Sequence, residues 1–305
     1  MIWLLLAFVS AALLGVYDVC KKKALSGNAV LPVLLLNTII SSLIFLPMVL
    51  LSAGGVLSEQ SILYVPPIDW RTQGYIILKS CIVLSSWVLG YFGIAHLPIT
   101  LVGPINATRP VMVLVGALLF FGETLTAWQW LGVLLAIVSF FMLSRSGKRE
   151  GIDFAHNRWV ICVVLAAVLG ALSGLYDKYL MASPAMGGVG LNRMEVQSYY
   201  NFYQCAMMTV MLMLLWWPRL HSTPFAWRWS IPLISIFLCV ADFLYFYSLS
   251  LDGALVSVVS MVRRSSVLVS FAVGAIIFRE RNLRSKAIDL LLVLLGMICI
   301  YIGTK

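Results

Sequence analysis

The stretch Gly15-Val-Tyr17-Asp18-Val-Cys-Lys21-Lys-Lys23 ends an apolar run that starts at the first residue, and it places a carboxylate just before a lysine cluster. The same Gly-x-Tyr-Asp pattern returns 159 residues later as Gly174-Leu-Tyr176-Asp177, again late in an apolar run. A pattern that recurs in the same setting indicates two related halves of one chain.

The composition is that of an integral membrane protein. Of the 305 residues, 62% are hydrophobic and 11% are charged, whereas about a quarter are charged in soluble domains. Lys and Arg at the ends of apolar runs account for the net charge of +9, so we expect no nucleic-acid partner. The six cysteines lie singly in apolar segments, which indicates neither a disulfide framework nor a metal site. No cofactor is expected.

Ten segments are long and apolar enough to span a bilayer, because a spanning helix needs roughly 20 such residues. The predicted spans are 2–24, 30–53, 73–95, 99–121, 126–144, 159–181, 197–217, 229–250, 254–278 and 286–303. They predict an all-α, multi-pass protein of the cell (inner) membrane. The first span lacks a basic start and a cleavage site, so it is expected to be retained. Most basic residues share the side of the 145–158 hinge, so the positive-inside rule predicts both termini outside.

The similarity between the halves extends beyond the Tyr-Asp pattern. Residues 92–109 align with 246–263, and Phe121-Gly-Glu123 aligns with Phe278-Arg-Glu280. The predicted parts are a first five-helix repeat (1–145), a basic connecting loop (146–158) and a second five-helix repeat (159–305). Because five is odd, the second copy crosses the membrane in the opposite sense, which gives the inverted repeat typical of secondary transporters.

Each half has a span that closes on a glutamate, 110–123 and 267–280, followed by a last span that contains Gly132 or Gly296. In this order the motifs resemble the drug/metabolite transporter superfamily, in its EamA-like ten-helix branch. The resemblance covers essentially the whole chain. It implies a central cavity lined partly by spans four and nine, with substrate exchange by alternating access. The second half has no proline that matches Pro110, which argues against a kink there.

Four charged residues are predicted near the bilayer midplane: Arg109, Asp242, Arg263 and Arg264. A charge there costs about 2.5–3.5 kcal/mol on insertion scales, so it needs a function or a partner. One interpretation is a substrate site in which arginines hold a carboxylate or phosphate. The other is a structural network in which Asp242 neutralises one arginine and another caps carbonyls freed by Pro104 or Pro110. Asp242 is predicted to be either a counter-ion or a proton carrier. Adjacent side chains on a helix point about 100° apart, so Arg263 and Arg264 cannot both hold one ligand group, and one of them is predicted to be structural.

Further polar residues are predicted to line the substrate site. Asn106 and Ser260 each lie three residues before an arginine and would share its helix face. Span seven carries a polar stripe at i, i+3, i+4 and i+7 spacing, namely Gln197, Tyr200, Asn201 and Gln204. Such a stripe would be wasted on lipid, so we expect it to face a cavity or another polar helix.

The two Tyr-Asp pairs, Tyr17–Asp18 and Tyr176–Asp177, are predicted near opposite membrane interfaces. For Asp18 an ion pair with Lys21 or Lys22 on the same helix face gives a structural explanation. For Asp177 that explanation is weaker, because Lys178 does not share its face. The functional alternative makes both pairs gates or proton sites at the two mouths of the cavity. Glu123 and Glu280 are interpreted as helix-end residues.

The leading prediction is a secondary-active carrier of a small anionic or zwitterionic metabolite, such as an amino acid, organic acid or phosphorylated compound. The alternative is a multidrug or organic-cation exporter that uses Asp242 and aromatic residues. An enzyme is not expected, since residues 170–174 lack the Gly-x-Ser-x-Gly spacing and are read as small residues that let helices approach. The expected partners are a small-molecule substrate and the lipid bilayer, with the chain as a monomer or homodimer.

Overall fold

The structure is a computed structural model of the chain. It describes residues 2–112, 115, 125–149, 151–154, 156–181, 184, 187–219, 224–250, 262–278 and 283–303.

The described residues form helices joined by turns and short loops. The α-helices are α1 (Ile2–Leu25), α2 (Val30–Ala53), α3 (Trp70–His96), α4 (Ile99–Ala107), α5 (Ala127–Arg149), α6 (Arg158–Met181), α7 (Arg193–Leu215), α8 (Ser230–Ser250), α9 (Ser266–Phe278) and α10 (Leu283–Gly303). Each lies within or overlaps one of the predicted spans. A short 3-10 turn, Trp217–Arg219, follows α7.

Six of these helices are long and apolar enough to cross a membrane when only the described residues are considered: α1, α2, α3, α5, α6 and α10. The apolar part of α8, Ser230–Tyr245, is shorter. The described parts of α4 and α9 are short, and the polar stripe of α7 lowers its hydropathy. The chain is therefore an all-helical, multi-pass membrane protein.

The helices of the two halves pack against each other in matched pairs. α1 packs on α8, and α3 packs on α6. The other pairs are α2 with α7, α4 with α9 and α5 with α10. Each of the five helices in residues 1–149 thus packs against one of the five helices in residues 158–303.

Small residues bring these pairs into close contact. Ser10 Oγ of α1 donates to the carbonyl oxygen of Ala241 at 2.6 Å, and Ser86 Oγ of α3 donates to that of Ala166 at 2.7 Å. Where α5 crosses α10, a Cβ added at Gly132 would lie 2.6 Å from the carbonyl oxygen of Gly296. Close backbone approach through glycine and serine is how helices associate in lipid, where no hydrophobic effect drives them together.

Two predicted spans are interrupted in the same way. α4 ends in a turn at Thr108, whose N–H and hydroxyl both bond to the carbonyl of Ile105, at 3.2 and 2.7 Å. A turn at Ser265 precedes α9, and its N–H and hydroxyl bond to Val262 O at 3.0 and 2.6 Å. A hydroxyl that bonds back to the preceding turn competes with the regular helical bonds. The expectation that the second half lacks a kink for want of a proline is therefore wrong.

Candidate functional site

Arg109 lies directly after the turn at Thr108. Its Nη2 donates to Oδ1 of Asn106 at 3.1 Å, so the structure brings these two predicted residues together. Its Nε is buried and has no hydrogen-bond partner among the described residues. The guanidinium lies against α6 at Gly170. The acceptor is a side-chain amide oxygen. This hydrogen bond therefore does not cap a backbone carbonyl, which was the structural role predicted for an arginine near Pro104 or Pro110.

Asp242 of α8 forms an ion pair with Arg263, which lies just before the turn at Ser265. The Arg263 guanidinium also lies 4.0 Å from the ring centroid of Tyr245, a cation–π distance. Among the two roles predicted for Asp242, this geometry is that of a counter-ion.

Arg264 is in a different position from its neighbour. It lies within electrostatic range of Arg109 and Arg263, which both repel it. It makes no ion pair with any carboxylate of the described residues. Two guanidinium groups, those of Arg109 and Arg264, therefore lie within electrostatic range of each other, and neither forms an ion pair with a described carboxylate.

The first Tyr-Asp pair has the partner that the sequence predicts. Lys21 Nζ lies 2.8 Å from Asp18 Oδ1 and 4.3 Å from the ring centroid of Tyr17. Tyr91 of α3 adds a second ring at 5.3 Å. Lys22, the other predicted partner, instead donates to the carbonyls of Ile94 and Leu97 at 2.7 and 2.6 Å, where α3 ends.

Tyr17 and Asp18 also lie near the arginines. Both are within electrostatic range of Arg109, and Tyr17 is within range of Asp242 as well. The reason is the path of α1, which crosses the start of α9 so closely that a Cβ at Gly15 would lie 2.9 Å from the carbonyl oxygen of Ser266. Counting residues along one span placed this pair near the membrane interface, apart from the arginines, and it missed this crossing.

The second Tyr-Asp pair is built differently. Asp177 of α6 forms an ion pair with Lys79 of α3, whose ammonium lies 5.3 Å from the ring centroid of Tyr200. Tyr176 turns away from this pair, and its hydroxyl donates to the carbonyl of Tyr75 at 3.2 Å. The ion pair joins two helices, whereas the Asp18–Lys21 pair lies within one.

The polar stripe of α7 is buried, as its predicted orientation requires. Tyr200 is within electrostatic range of Asp177, Asp242 and Arg263, that is, of members of both interhelical ion pairs. Asn201 donates to the Gln197 carbonyl at 2.6 Å, and its own carbonyl accepts from Ser42 of α2 at 3.1 Å. Both amide atoms of Gln204 are buried and have no hydrogen-bond partner among the described residues.

These groups form one cluster, the central charge cluster, of five cations and three carboxylates: Lys21, Lys79, Arg109, Arg263, Arg264, Asp18, Asp177 and Asp242. The described side chains of the cluster leave two positive charges unmatched. A partly buried excess of positive charge stabilises a bound anion, because electrostatic interactions strengthen as water is displaced.

Sequence reasoning missed Lys79 and Tyr91. Lys79 is a single lysine inside an apolar helix of 27 residues and is 5% exposed, so the depth criterion applied to the arginines would have found it. No comparable signal marks Tyr91, since a tyrosine in a span is ordinary. Ser260, Glu123 and Glu280 lie outside the described residues.

Comparison with known proteins bears on this site. Residues 1–145 match the model of the EamA-like transporter family. The match confirms the predicted resemblance to the drug/metabolite transporters over these residues, which include Arg109, Asp18 and Lys79. The matched family is one of membrane transporters, which agrees with the helical, membrane-spanning character of the chain.

The whole chain also resembles solved structures. One crystal structure of a protein is 13% identical to it, covers 99% of this chain and 98% of that chain, and has a TM-score of 0.62. At this identity the likeness shows the fold alone. No curated protein sequence matches the chain.

Proposed function

We propose that the protein is a secondary-active carrier that moves a small anionic or zwitterionic metabolite across the cell (inner) membrane by alternating access. The observation that carries the proposal is the unmatched positive charge of the central charge cluster, above all the buried Nε of Arg109, which has no hydrogen-bond partner in the part of the chain that the structure describes. An unsatisfied buried donor costs about 1–3 kcal/mol. A substrate carboxylate or phosphate that accepts from it would recover that cost and neutralise the excess charge.

Within this proposal the three arginines have different roles. Arg109 and Arg264 hold the anionic group, since neither forms an ion pair with a described carboxylate. Arg263 is structural, because Asp242 and Tyr245 already engage its guanidinium. A planar guanidinium matches a carboxylate or phosphate with two parallel hydrogen bonds, which suits this task.

The α7 stripe supplies the neutral part of the proposed site. The Gln204 amide has a free donor and a free acceptor, so it can bind a hydroxyl, an amide or an ammonium group of the substrate. Tyr200 and Asn201 lie on the same helix face and form one side of the proposed substrate site. A site with both guanidinium and amide groups favours a zwitterionic or hydroxylated acid over a simple inorganic anion.

The packing of the helices supports alternating access. Matched pairs such as α2 with α7 and α5 with α10, and matching breaks at Thr108 and Ser265, are what two inverted five-helix repeats would produce. Broken helices next to a substrate site are common in carriers with inverted repeats. We assign the Lys79–Asp177 pair to one gate, since it joins α3 to α6, and the Tyr17–Asp18–Lys21 group to the other.

A ligand screen by thermal unfolding in detergent tests the proposal. The panel contains amino acids, organic acids, phosphorylated metabolites and quaternary amines. A compound at about 100 times its dissociation constant contributes about 2.7 kcal/mol, which such an assay detects. We expect stabilisation by a carboxylate or phosphate that is lost in Arg109→Gln and kept in Arg145→Gln, whose arginine is exposed on α5. Stabilisation by amines alone would contradict the proposal.

The cation-exporter alternative requires a free carboxylate. Asp242, the residue assigned to that role, is already in an ion pair with Arg263. A quaternary amine would have to displace a permanently charged guanidinium from it. The geometry therefore favours the anion or zwitterion carrier.

A further inference from the structure

A carboxyl group outside the central charge cluster is buried and has no partner among the described residues. Asp289 of α10 is 0% exposed, and neither of its carboxyl oxygens has a hydrogen-bond partner in the described part of the chain. Its backbone carbonyl accepts from Ser139 Oγ of α5 at 2.8 Å, which fixes this part of α10 against α5. The adjacent Leu290 belongs to an apolar cluster with Ala107 and Val267, so this part of α10 packs into the interior of the protein.

The charged groups on the helices around Asp289 are few. One helical turn before it, Lys286 is 0% exposed and donates to Thr100 Oγ1 of α4 at 2.9 Å. α4 itself carries no charged residue. On α5, Arg145 and Lys148 are exposed. Lys286 is thus the other buried charged side chain that the structure describes on α4, α5 and α10.

Burial decides the protonation state of such a group. An ionised carboxylate without a hydrogen-bond donor or an ion-pair partner is far costlier to bury than the neutral acid, so a group in this position takes up a proton. We infer that Asp289 is a proton-binding site, separate from the central charge cluster, and that it holds a proton in this conformation. The ligand of the site is the proton itself, bound to one carboxyl oxygen.

The position of Lys286 links this proton to α4. When Asp289 releases the proton, its carboxylate attracts the ammonium of Lys286, which is three residues away on the same helix face. The ammonium then moves away from Thr100, which weakens a polar contact between α4 and α10. Because α4 leads directly to Arg109, the proton at Asp289 biases the position of the substrate site. This link rests on the proposed function, whereas the proton site does not.

Infrared spectroscopy of the purified protein, titrated with pH and without substrate, tests the proton site. The carbonyl stretch of a protonated carboxylic acid is measured in the wild type, in Asp289→Asn and in Asp289→Leu. Leucine replaces the carboxyl group with an apolar side chain and keeps the variant folded in a buried site. Asp153→Asn is the control, since Asp153 is an exposed loop residue paired with His156.

We expect the wild type to show the band at neutral pH, Asp289→Leu and Asp289→Asn to lose it, and Asp153→Asn to keep it. In Lys286→Met the band should persist to higher pH, because the nearby positive charge no longer favours the carboxylate. A wild-type spectrum from which Asp289→Leu removes no band at any pH would overturn the proton site. A band with the same titration in Lys286→Met would overturn the link to α4. Neither result depends on which substrate the protein binds.

Discussion

The guanidinium of Arg109 on the fourth span fills the space beside the backbone of Gly170 on α6. A Cβ added at Gly170 would lie 2.7 Å from Cζ and 2.8 Å from Nη1 of Arg109. At Gly174, one turn further along α6, an added Cβ would meet no atom within 4 Å. Of the two glycines that the sequence marked as helix-packing residues, one makes room for a charged side chain and the other contacts nothing.

Gly170→Ala is expected to displace the Arg109 guanidinium while the fold is kept. Since Arg109 supplies the proposed anion contact, stabilisation by the cognate anion should fall by more than half of its wild-type value. Gly174→Ala adds the same methyl group to the same helix and should bind as the wild type does. The measurement is the ligand-induced thermal shift of both variants. Equal shifts for the two would show that Arg109 takes no part in binding.

Lys79→Met is expected to destabilise the protein. It leaves Asp177 without its partner, and removing one member of a buried ion pair costs about 3–5 kcal/mol. Because the Asp177 side chain is 26% exposed, we expect the lower end of that range. The double variant Lys79→Met/Asp177→Leu should recover most of the loss, which thermal unfolding in detergent measures.

The exposed pair of His156 and Asp153 is the control for this prediction, with side chains 85% and 52% exposed. His156→Gln should cost less than about 1 kcal/mol. If Lys79→Met and His156→Gln lowered the free energy of unfolding by the same amount, the ion pair between α3 and α6 would stabilise the protein no more than an exposed pair does.

Asp242→Asn separates the two substrate classes. In the anion account the change frees Arg263 and adds positive charge to the site, so binding of carboxylates or phosphates should be kept or strengthened. In the cation account the same change removes the binding group, so binding of quaternary amines should be abolished. Thermal shifts with one anion and one quaternary amine, measured on the wild type and the variant, distinguish these outcomes.

Gly132→Ala is expected to destabilise the contact between α5 and α10. The added methyl group meets the backbone of Gly296, which has no flexible end to move, and overpacking of this kind costs about 1–3 kcal/mol. Gly74→Ala on α3 is the matched change, because a Cβ there meets nothing within 4 Å. It should raise stability by up to about 1 kcal/mol through helix propensity. A Gly132→Ala protein as stable as Gly74→Ala would refute the close crossing.

The helices could be predicted from the sequence because hydrophobic runs and charged ends mark membrane helices directly. The ion pair of Asp18 with Lys21 and the contact of Asn106 with Arg109 could be predicted too, since both follow from helical spacing within a few residues. The burial of the α7 stripe followed from its i, i+3, i+4, i+7 pattern.

Relationships across helices could not be predicted in the same way. The pairing of Lys79 with Asp177 depends on how α3 packs on α6, and the approach of Asp18 to Arg109 depends on how α1 crosses α9. The turn at Ser265 could not be predicted from a proline, because none is nearby. A hydrogen bond from the serine hydroxyl to the preceding turn interrupts the helix instead. Asp289 lies three residues into the predicted span 286–303, close to its start, and its burial without a described partner becomes visible only when α4, α5 and α10 are packed together.

Exchange of a labelled substrate in proteoliposomes tests the central claim most directly. The compound is the anion or zwitterion that gives the largest thermal shift, loaded unlabelled inside the vesicles, with uptake of the labelled compound followed over time. We predict that the wild type and Arg145→Gln exchange it and that Arg109→Gln and Arg264→Gln do not, although all four reconstitute equally. Exchange by Arg109→Gln and Arg264→Gln at the wild-type rate would contradict the account.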